Sequence, residues 1–206
     1  MSSPHTTSTP GTITSTYLLE GLKNPENQTV WRQYVDRYRP MLTGYMRKLG
    51  LAADETEDVA QLALTSFYKA YQGGKYDSEK GRLRDWLFGI TRNEIRSWRR
   101  RRGNREVQVA GEAERTDFFE RQCDEDRWEQ LWEQEWRAAV MRQCLEQVRR
   151  EVDPTTFQAF EMFASEGKPA AEVARRLDLT PNAVFIAKHR ILKRIRELLP
   201  EMQEAW

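Results

Sequence analysis

Arg84, Arg92, Asn93, Arg96, Arg99 and Arg100 share the polar side of one predicted helix within GRLRDWLFGITRNEIRSWRRRR, residues 81–102. Trp98 stands just before the four successive arginines that close this stretch. Guanidinium forks suit phosphate oxygens, an amide suits a base edge, and an indole can hold an unstacked base. That combination is nucleic-acid chemistry. A solvated face has a similar composition, and arginines at a helix C-terminus are favoured by the dipole whatever they touch. A second cluster adds weight to the nucleic-acid reading: Asn182, Phe185, Ile186, His189, Arg190 and Lys193 fall on one face of a later helix, the face that would enter a major groove.

The elements that must position these residues are all helical. Trp86, Leu87, Ile90 and Ile95 recur at close to the helical period and predict the buried stripe of the arginine helix. Before it, a short helix is expected at Tyr17–Leu22 and a longer one over 28–49, with Pro40 as a candidate kink and Gly50 as its C-cap. A third helix, from about Ala53 to Tyr71, is acidic at its start through Asp54, Glu55, Glu57 and Asp58. Those acids suit the helix dipole, and Asp58 and Gln61, one turn apart, also suit docking of a basic partner helix. The polar loop Lys75–Gly81 leads into the arginine helix and is a natural pocket for an extruded base, which costs a few kcal/mol to unstack.

Residues 103–120 lack a helical period and read as a linker. After them, Trp128, Leu131, Trp132, Trp136, Ala139, Val140, Cys144, Leu145 and Val148 form an apolar stripe on an acidic helix, a pattern of core rather than of a binding site. Asp153-Pro154 reads as an N-cap followed by the first helical residue of a segment that stops at Gly167. Then follow a short helix, Ala170–Leu177, a turn at Asp178-Leu179, Thr180 as N-cap with Pro181 behind it, and a helix over 182–199. Ala174, Leu177, Leu179, Val184, Ile191 and Ile195 fall where a helix-turn-helix buries its contacts.

The chain has 206 residues and a formal net charge of only +1, which hides a segregation. Basic residues dominate 82–105, whereas acids dominate 106–135 through Glu112, Glu114, Asp117, Glu120, Asp124, Glu125, Asp126, Glu129 and Glu133. Exposed charges are screened beyond about 10 Å, so such blocks matter more than the sum. Two cysteines, Cys123 and Cys144, make no disulfide framework, and with only His5 and His189 for company they predict no metal site. No nucleophile-base pair, glycine-rich phosphate loop or ligand cluster points to an enzyme or a cofactor. No apolar run approaches the roughly 20 residues of a membrane span, and no charged-then-apolar leader opens the chain, which predicts a soluble, cytoplasmic protein without membrane insertion.

Three motif sets carry a resemblance. Glu57-Asp58-Val59-Ala60-Gln61 with Phe67-Tyr68-Lys69-Ala70-Tyr71, then Trp86-Leu87-Phe88-Gly89-Ile90-Thr91-Arg92-Asn93 with the arginine run, and finally Ala171–Leu177 to Arg190, resemble the extracytoplasmic-function (group IV) sigma factors of bacterial RNA polymerase. The segments 168–174 and 182–188 are similar to versions found in planctomycete bacteria. The resemblance implies an all-α protein of two small helical domains: a Ser/Thr-rich disordered tail (1–16), a region-two helical bundle (17–103), an acidic linker (104–127) and a region-four helix-turn-helix (128–206). It implies a transcription factor that binds core RNA polymerase at its clamp coiled coil and flap, recognises promoter DNA and assists its melting. Asp54, Glu57, Asp58, Gln61 and Thr65 would then meet the polymerase. Tyr76, Lys80, Arg82, Arg92, Asn93, Arg96, Arg99 and Arg100 would meet the minus-ten element, with the flipped base in the loop 76–82 and near Asn93. Thr180, Asn182, Phe185, Ile186, His189, Arg190 and Lys193 would meet the minus-thirty-five element.

This sequence departs from the family pattern at three places. Leu62 stands where an acid is usual, Asp178 replaces the turn glycine, and Phe185, Ile186 and Ala187 occupy recognition-helix positions that are polar or basic in many relatives, so methyl contact or shape readout gains weight. The competing reading is a free-standing helix-turn-helix regulator of duplex DNA; an adaptor that occupies the clamp without reading DNA is disfavoured by the arginine run. An anti-sigma factor or a Ser/Thr kinase acting on the tail is a candidate regulator. The tryptophan-rich helix is a candidate clasp that keeps the DNA-reading units inactive.

Overall fold

A computed structural model describes residues 15–107 and 125–205, and every regular element among them is a helix. In chain order these are α1 (Ser15–Leu22), α2 (Gln28–Lys48), α3 (Ala53–Gln72), α4 (Leu83–Val107), α5 (Glu125–Glu151), α6 (Pro154–Phe160) with a π-helical continuation (Glu161–Ser165), α7 (Ala170–Leu177) and α8 (Pro181–Ala205). Contacts group them into two compact units, Ser15–Ala139 and Val140–Trp206. The division falls inside α5, whereas the resemblance implies a second domain from 128. The tail 1–16 lies outside the described residues except for Ser15 and Thr16, which open α1, and so does the linker between residues 108 and 124. Both flanks of that expected linker are helical: α4 runs on to Val107 and α5 starts at Glu125.

In the first unit α2 forms the spine, burying Val30, Tyr34, Tyr38, Met41, Leu42, Tyr45 and Met46. It begins where the Asn27 side chain accepts the Val30 N–H at 3.2 Å. It continues through Pro40 and ends in a left-handed Gly50 (φ +85°), with the Leu51 N–H donating to the Met46 carbonyl at 3.1 Å. Across it lies α3, with Val59, Ala60, Ala63, Leu64 and Phe67 turned inward. Its first turn is fixed by Glu55, whose carboxylate accepts the Ala52 N–H at 2.9 Å. Stacked and tilted rings carry the packing outward: Tyr34 on Phe67 (4.6 Å between centroids), Phe67 on Trp86 (4.9 Å) and Trp86 on Tyr76 (5.0 Å).

The buried stripe of α4 is Leu83, Leu87, Thr91 and Ile95, a strict four-residue step. Trp86 and Ile90, expected in that stripe, are only half-buried at its margin. Thr91 tolerates its place because its hydroxyl donates to the Leu87 carbonyl at 2.8 Å. Ser66 ties α3 to α4 by donating to Glu94 at 2.7 Å.

In the second unit Asp153 caps α6, accepting the Thr155 and Thr156 N–H groups at 2.9 and 3.1 Å, with Pro154 in the first turn. Ala159, Met162, Val173, Ala174, Val184 and Ala187 form the core beneath the helix-turn-helix, with Phe163, Ala170, Leu177 and Leu179 against it. The turn works as the sequence requires: Asp178 takes the left-handed conformation (φ 54°, ψ 46°) in the absence of a glycine. Thr180 Oγ1 accepts the Ala183 N–H at 3.2 Å to start α8. This helix extends past the expected Leu199, through Pro200, to Ala205. Ala187 is buried in this core, so it is not a surface position of the recognition helix.

Candidate nucleic-acid interface

Helical phase divides the charged side of α4 into two faces. One carries Arg84, Phe88, Arg92, Arg96 and Arg99; the other carries Trp86, Asn93 and Arg100, in steps of seven residues, with Arg82 just before the helix. The sequence pattern treated them as one surface. Within the first unit, the start of α5 lies along the first face in the opposite direction. Arg84 donates to Glu133, Phe88 packs on Trp132 at 5.2 Å, and Glu125 accepts from Arg96 while lying 3.6 Å from Arg92. The Arg99 guanidinium sits 5.2 Å over Trp128 and donates to the Leu49 carbonyl at 3.2 Å, which satisfies the end of α2.

Arg92, Arg96 and Arg99 are therefore half-buried and engaged, whereas Asn93, Arg100 and Arg82 are exposed. Asn93 and Arg100 make no side-chain hydrogen bond or ion pair among the described residues. Asn93 stands two turns beyond Trp86 on the open face, about 10 Å along the axis. Tyr76 packs on Trp86 and also on Tyr71, at 6.3 Å. Burial and the Asp77 charge raise the Tyr76 pKa, so this ring presents a neutral phenol. Lys80 is exposed and pairs with Asp77 at 3.0 Å. Trp98, read from the sequence as a platform for a base, lies under the Arg102 guanidinium at 5.5 Å.

On α3, Asp54, Asp58 and Gln61 are exposed together with Leu62, which is 39% accessible. Asp54 and Asp58 form no ion pair among the described residues. Two of their expected companions differ. Glu57 is held by Arg39 at 2.8 Å and lies 4.0 Å from Arg47, and the Thr65 hydroxyl donates back to the Gln61 carbonyl at 2.8 Å. The apolar spacing of the sequence groups Leu62 with Val59, Ala63 and Phe67; the structure buries those three and turns Leu62 outward.

In the second unit Thr180, Asn182, Phe185, Ile186, His189, Arg190 and Lys193 are all exposed. Phe185 and Ile186 are 52% and 42% accessible, which is unusual for large apolar side chains. Phe163 and Phe185 form a T-shaped pair with ring centroids 5.3 Å apart, and the Lys188 ammonium lies 5.3 Å from the centre of the Phe163 ring. Phe163 belongs to the π-helical stretch, which no spacing rule in the sequence announced. This face offers apolar contact for a thymine methyl beside an amide and two cations.

Residues 34–105 match sigma-70 region 2. The match spans about a third of the chain and contains most of α2, all of α3 and nearly all of α4. It supports a sigma-70 family member, with a sigma factor's role in promoter recognition. It stops short of the second unit, whose interface stands on geometry alone. No curated protein matches the chain. Among the described residues, no group of His, Cys, Asp and Glu is arranged to hold a metal ion, and no helix is long and apolar enough to cross a membrane.

Proposed function

We propose that this protein is an alternative sigma factor of the extracytoplasmic-function type, which brings bacterial core RNA polymerase to a set of promoters in the cytoplasm. The single observation that carries the reading is the region-2 match laid over α3 and α4. The clamp coiled coil of the polymerase docks on Asp54, Asp58 and Gln61. Leu62 adds an apolar contact where relatives place an acid. Single-stranded minus-ten DNA runs along α4, its backbone on the arginines. A flipped base stands near Asn93 and the Tyr76 loop, where the ring pair Tyr76 and Trp86 offers a stacking surface. The exposed face of α8, Asn182 to Lys193, reads minus-thirty-five duplex in the major groove. An anti-sigma factor or a Ser/Thr kinase is the proposed class of regulator.

Pull-down with bacterial core RNA polymerase, followed by transcription from a random promoter library, tests the whole reading. Association with new start sites supports it and yields the promoter sequence. Absence of association, with tight duplex binding by the protein alone, supports a free-standing helix-turn-helix regulator instead. Within a positive result, Asp58→Arg should reduce association while leaving the helical content intact. Asn93→Ala should lower promoter opening more than association; an equal loss of both would remove Asn93 from the base pocket.

A further inference from the structure

Carboxylates of α5 pair with the arginines of one face of α4. Glu125 serves Arg96 and Arg92, Glu133 serves Arg84, and Trp128 covers the Arg99 guanidinium. We propose that the start of α5, residues 125–136, is an internal competitor for single-stranded nucleic acid: it occupies the arginine face of α4 and must lift before that face can hold a strand. The inference rests on the assignment of α4 as the minus-ten helix and adds a gate to it.

Three observations let this packed segment act as a cover. First, beside the buried Trp128, Trp132 and Trp136, its hold on the arginines themselves is one of charge. Glu125 is largely exposed, so a polyanion can compete for its arginines with the same chemistry. Second, its polar groups are incompletely satisfied. Arg84 Nε, Arg92 Nε and Trp132 Nε1 are buried without a hydrogen-bond partner. Orphaned buried donors make a contact cheaper to open than its ion pairs suggest. A phosphate, with more acceptor oxygens than one carboxylate, can satisfy guanidinium nitrogens that Glu125 and Glu133 leave unmet. Third, an open groove of about 620 Å³, lined by Arg84, Asp85, Phe88, Glu129, Trp132 and Glu133, runs along the seam and leaves it accessible from solvent.

The cover has a defined latch. Glu135 is buried in α5, pairs with Lys48 at 2.8 Å, and lays its carboxylate against Gly44 of α2. A methyl group at position 44 would lie 2.6 Å from Glu135 Oε2, so that carboxylate would have to leave. Gly44→Ala thus loosens the cover without changing any charge, and alanine suits the interior of α2 better than glycine does.

The experiment measures binding of a fluorescein-labelled 12-nucleotide single-stranded DNA to the full chain by anisotropy. The double variant Glu125→Gln/Glu133→Gln should bind about ten-fold more tightly if the cover is closed nine-tenths of the time, since apparent affinity scales with the open fraction. Asp126→Asn/Glu146→Gln removes the same charge from exposed positions of the same helix that do not line the groove, and should change affinity by less than about two-fold. Gly44→Ala should tighten binding in the same direction, by about two- to three-fold. Equal effects of the two double variants, or no effect of Gly44→Ala together with none of Glu125→Gln/Glu133→Gln, would overturn the cover. Association of the same proteins with core polymerase separates this from the sigma reading. Tighter strand binding without polymerase association keeps the cover and sinks the sigma factor. Polymerase association with unchanged strand binding does the reverse.

Discussion

Two helices of this chain carry candidate DNA-binding side chains, and they display them differently. On α8, Asn182, Phe185, Ile186, His189, Arg190 and Lys193 are all open to solvent. On α4 only Asn93 and Arg100 are, with Arg82 just before the helix, because Glu125, Trp128 and Glu133 engage the neighbouring arginine face. Both helices are amphipathic by the same rule, with a buried stripe at helical spacing. What separates them is a complementary acidic element packed in the same unit as α4. An amphipathic pattern identifies the side that can bind, and the rest of the chain decides whether that side is free.

The comparison requires first that the outward residues of both helices be dispensable for folding. Ile95→Ala on α4 and Ile191→Ala on α8 should each cost about 2–5 kcal/mol, as deletion of a buried aliphatic side chain does. Arg100→Ala and Arg190→Ala should stay within about 0.5 kcal/mol, as at surface positions without special contacts. Urea unfolding of the four variants reads both numbers. A cost for Arg190→Ala comparable to that of Ile191→Ala would mean that α8 also has a partner, and the contrast with α4 would vanish.

A smaller effect tests how the second unit sets up its open face. Asp153 holds two N–H groups at the start of α6, so Asp153→Ala should cost about 1 kcal/mol, with the helix-turn-helix fold retained. Local signals of this kind explain what was legible in the sequence. Asp153-Pro154, Thr180-Pro181 and the left-handed Asp178 act within three or four residues, and the structure has each of them where the pattern put it. The outward face of α8 followed from phase alone, except for Ala187, whose small side chain suited either side and is buried.

Long-range partners were not legible. The contacts of Arg84 and Arg96 with Glu133 and Glu125 join residues 49 and 29 positions apart, across an acidic stretch without periodicity. The tryptophans of α5 were recognisable as core, but a tryptophan stripe does not say whose core it completes. Trp132 lies 5.3 Å from Tyr45 and Trp136 lies 6.3 Å from Tyr38, both in the first unit. The distribution of carboxylates on α3 had the same difficulty. Sequence phase could not reveal that Glu57 is held by Arg39 while Asp58, one residue on, stays open.

Salt dependence sharpens the contrast between the two faces of α4. Each phosphate contact on a single strand contributes about 0.7 to the slope of log affinity against log salt. Arg100→Ala, on the open face, should lower that slope by about this amount in the free protein. Arg92→Ala should lower it less, because its guanidinium is already near Glu125, and should reach the full effect only in the Gly44→Ala background. Equal slopes for both single variants would mean that the two faces of α4 are equally available.

The smallest effect is a response to acid. Burial raises the Glu133 pKa, but hydrogen bonds from Arg84 and Arg137, together with their charges, outweigh it and hold this carboxyl below its ordinary value. Its folded pKa therefore lies below the unfolded one, near 4.3. The stabilisation is complete above the unfolded value and is lost as pH falls through the folded one. Glu151 in the second unit, held low chiefly by its hydrogen bond from Arg194, follows the same sign, so global unfolding by acid does not distinguish the units. Tryptophan emission does favour the first unit, where Trp128, Trp132 and Trp136 are buried beside Glu133. Acidification below about pH 4 should shift that emission to the red before the helical signal falls, and Glu133→Gln should show the shifted emission already at neutral pH. If wild type and Glu133→Gln emit alike across the whole range, Glu133 does not hold α5 on α4, and the closed arginine face owes its burial to the tryptophans alone.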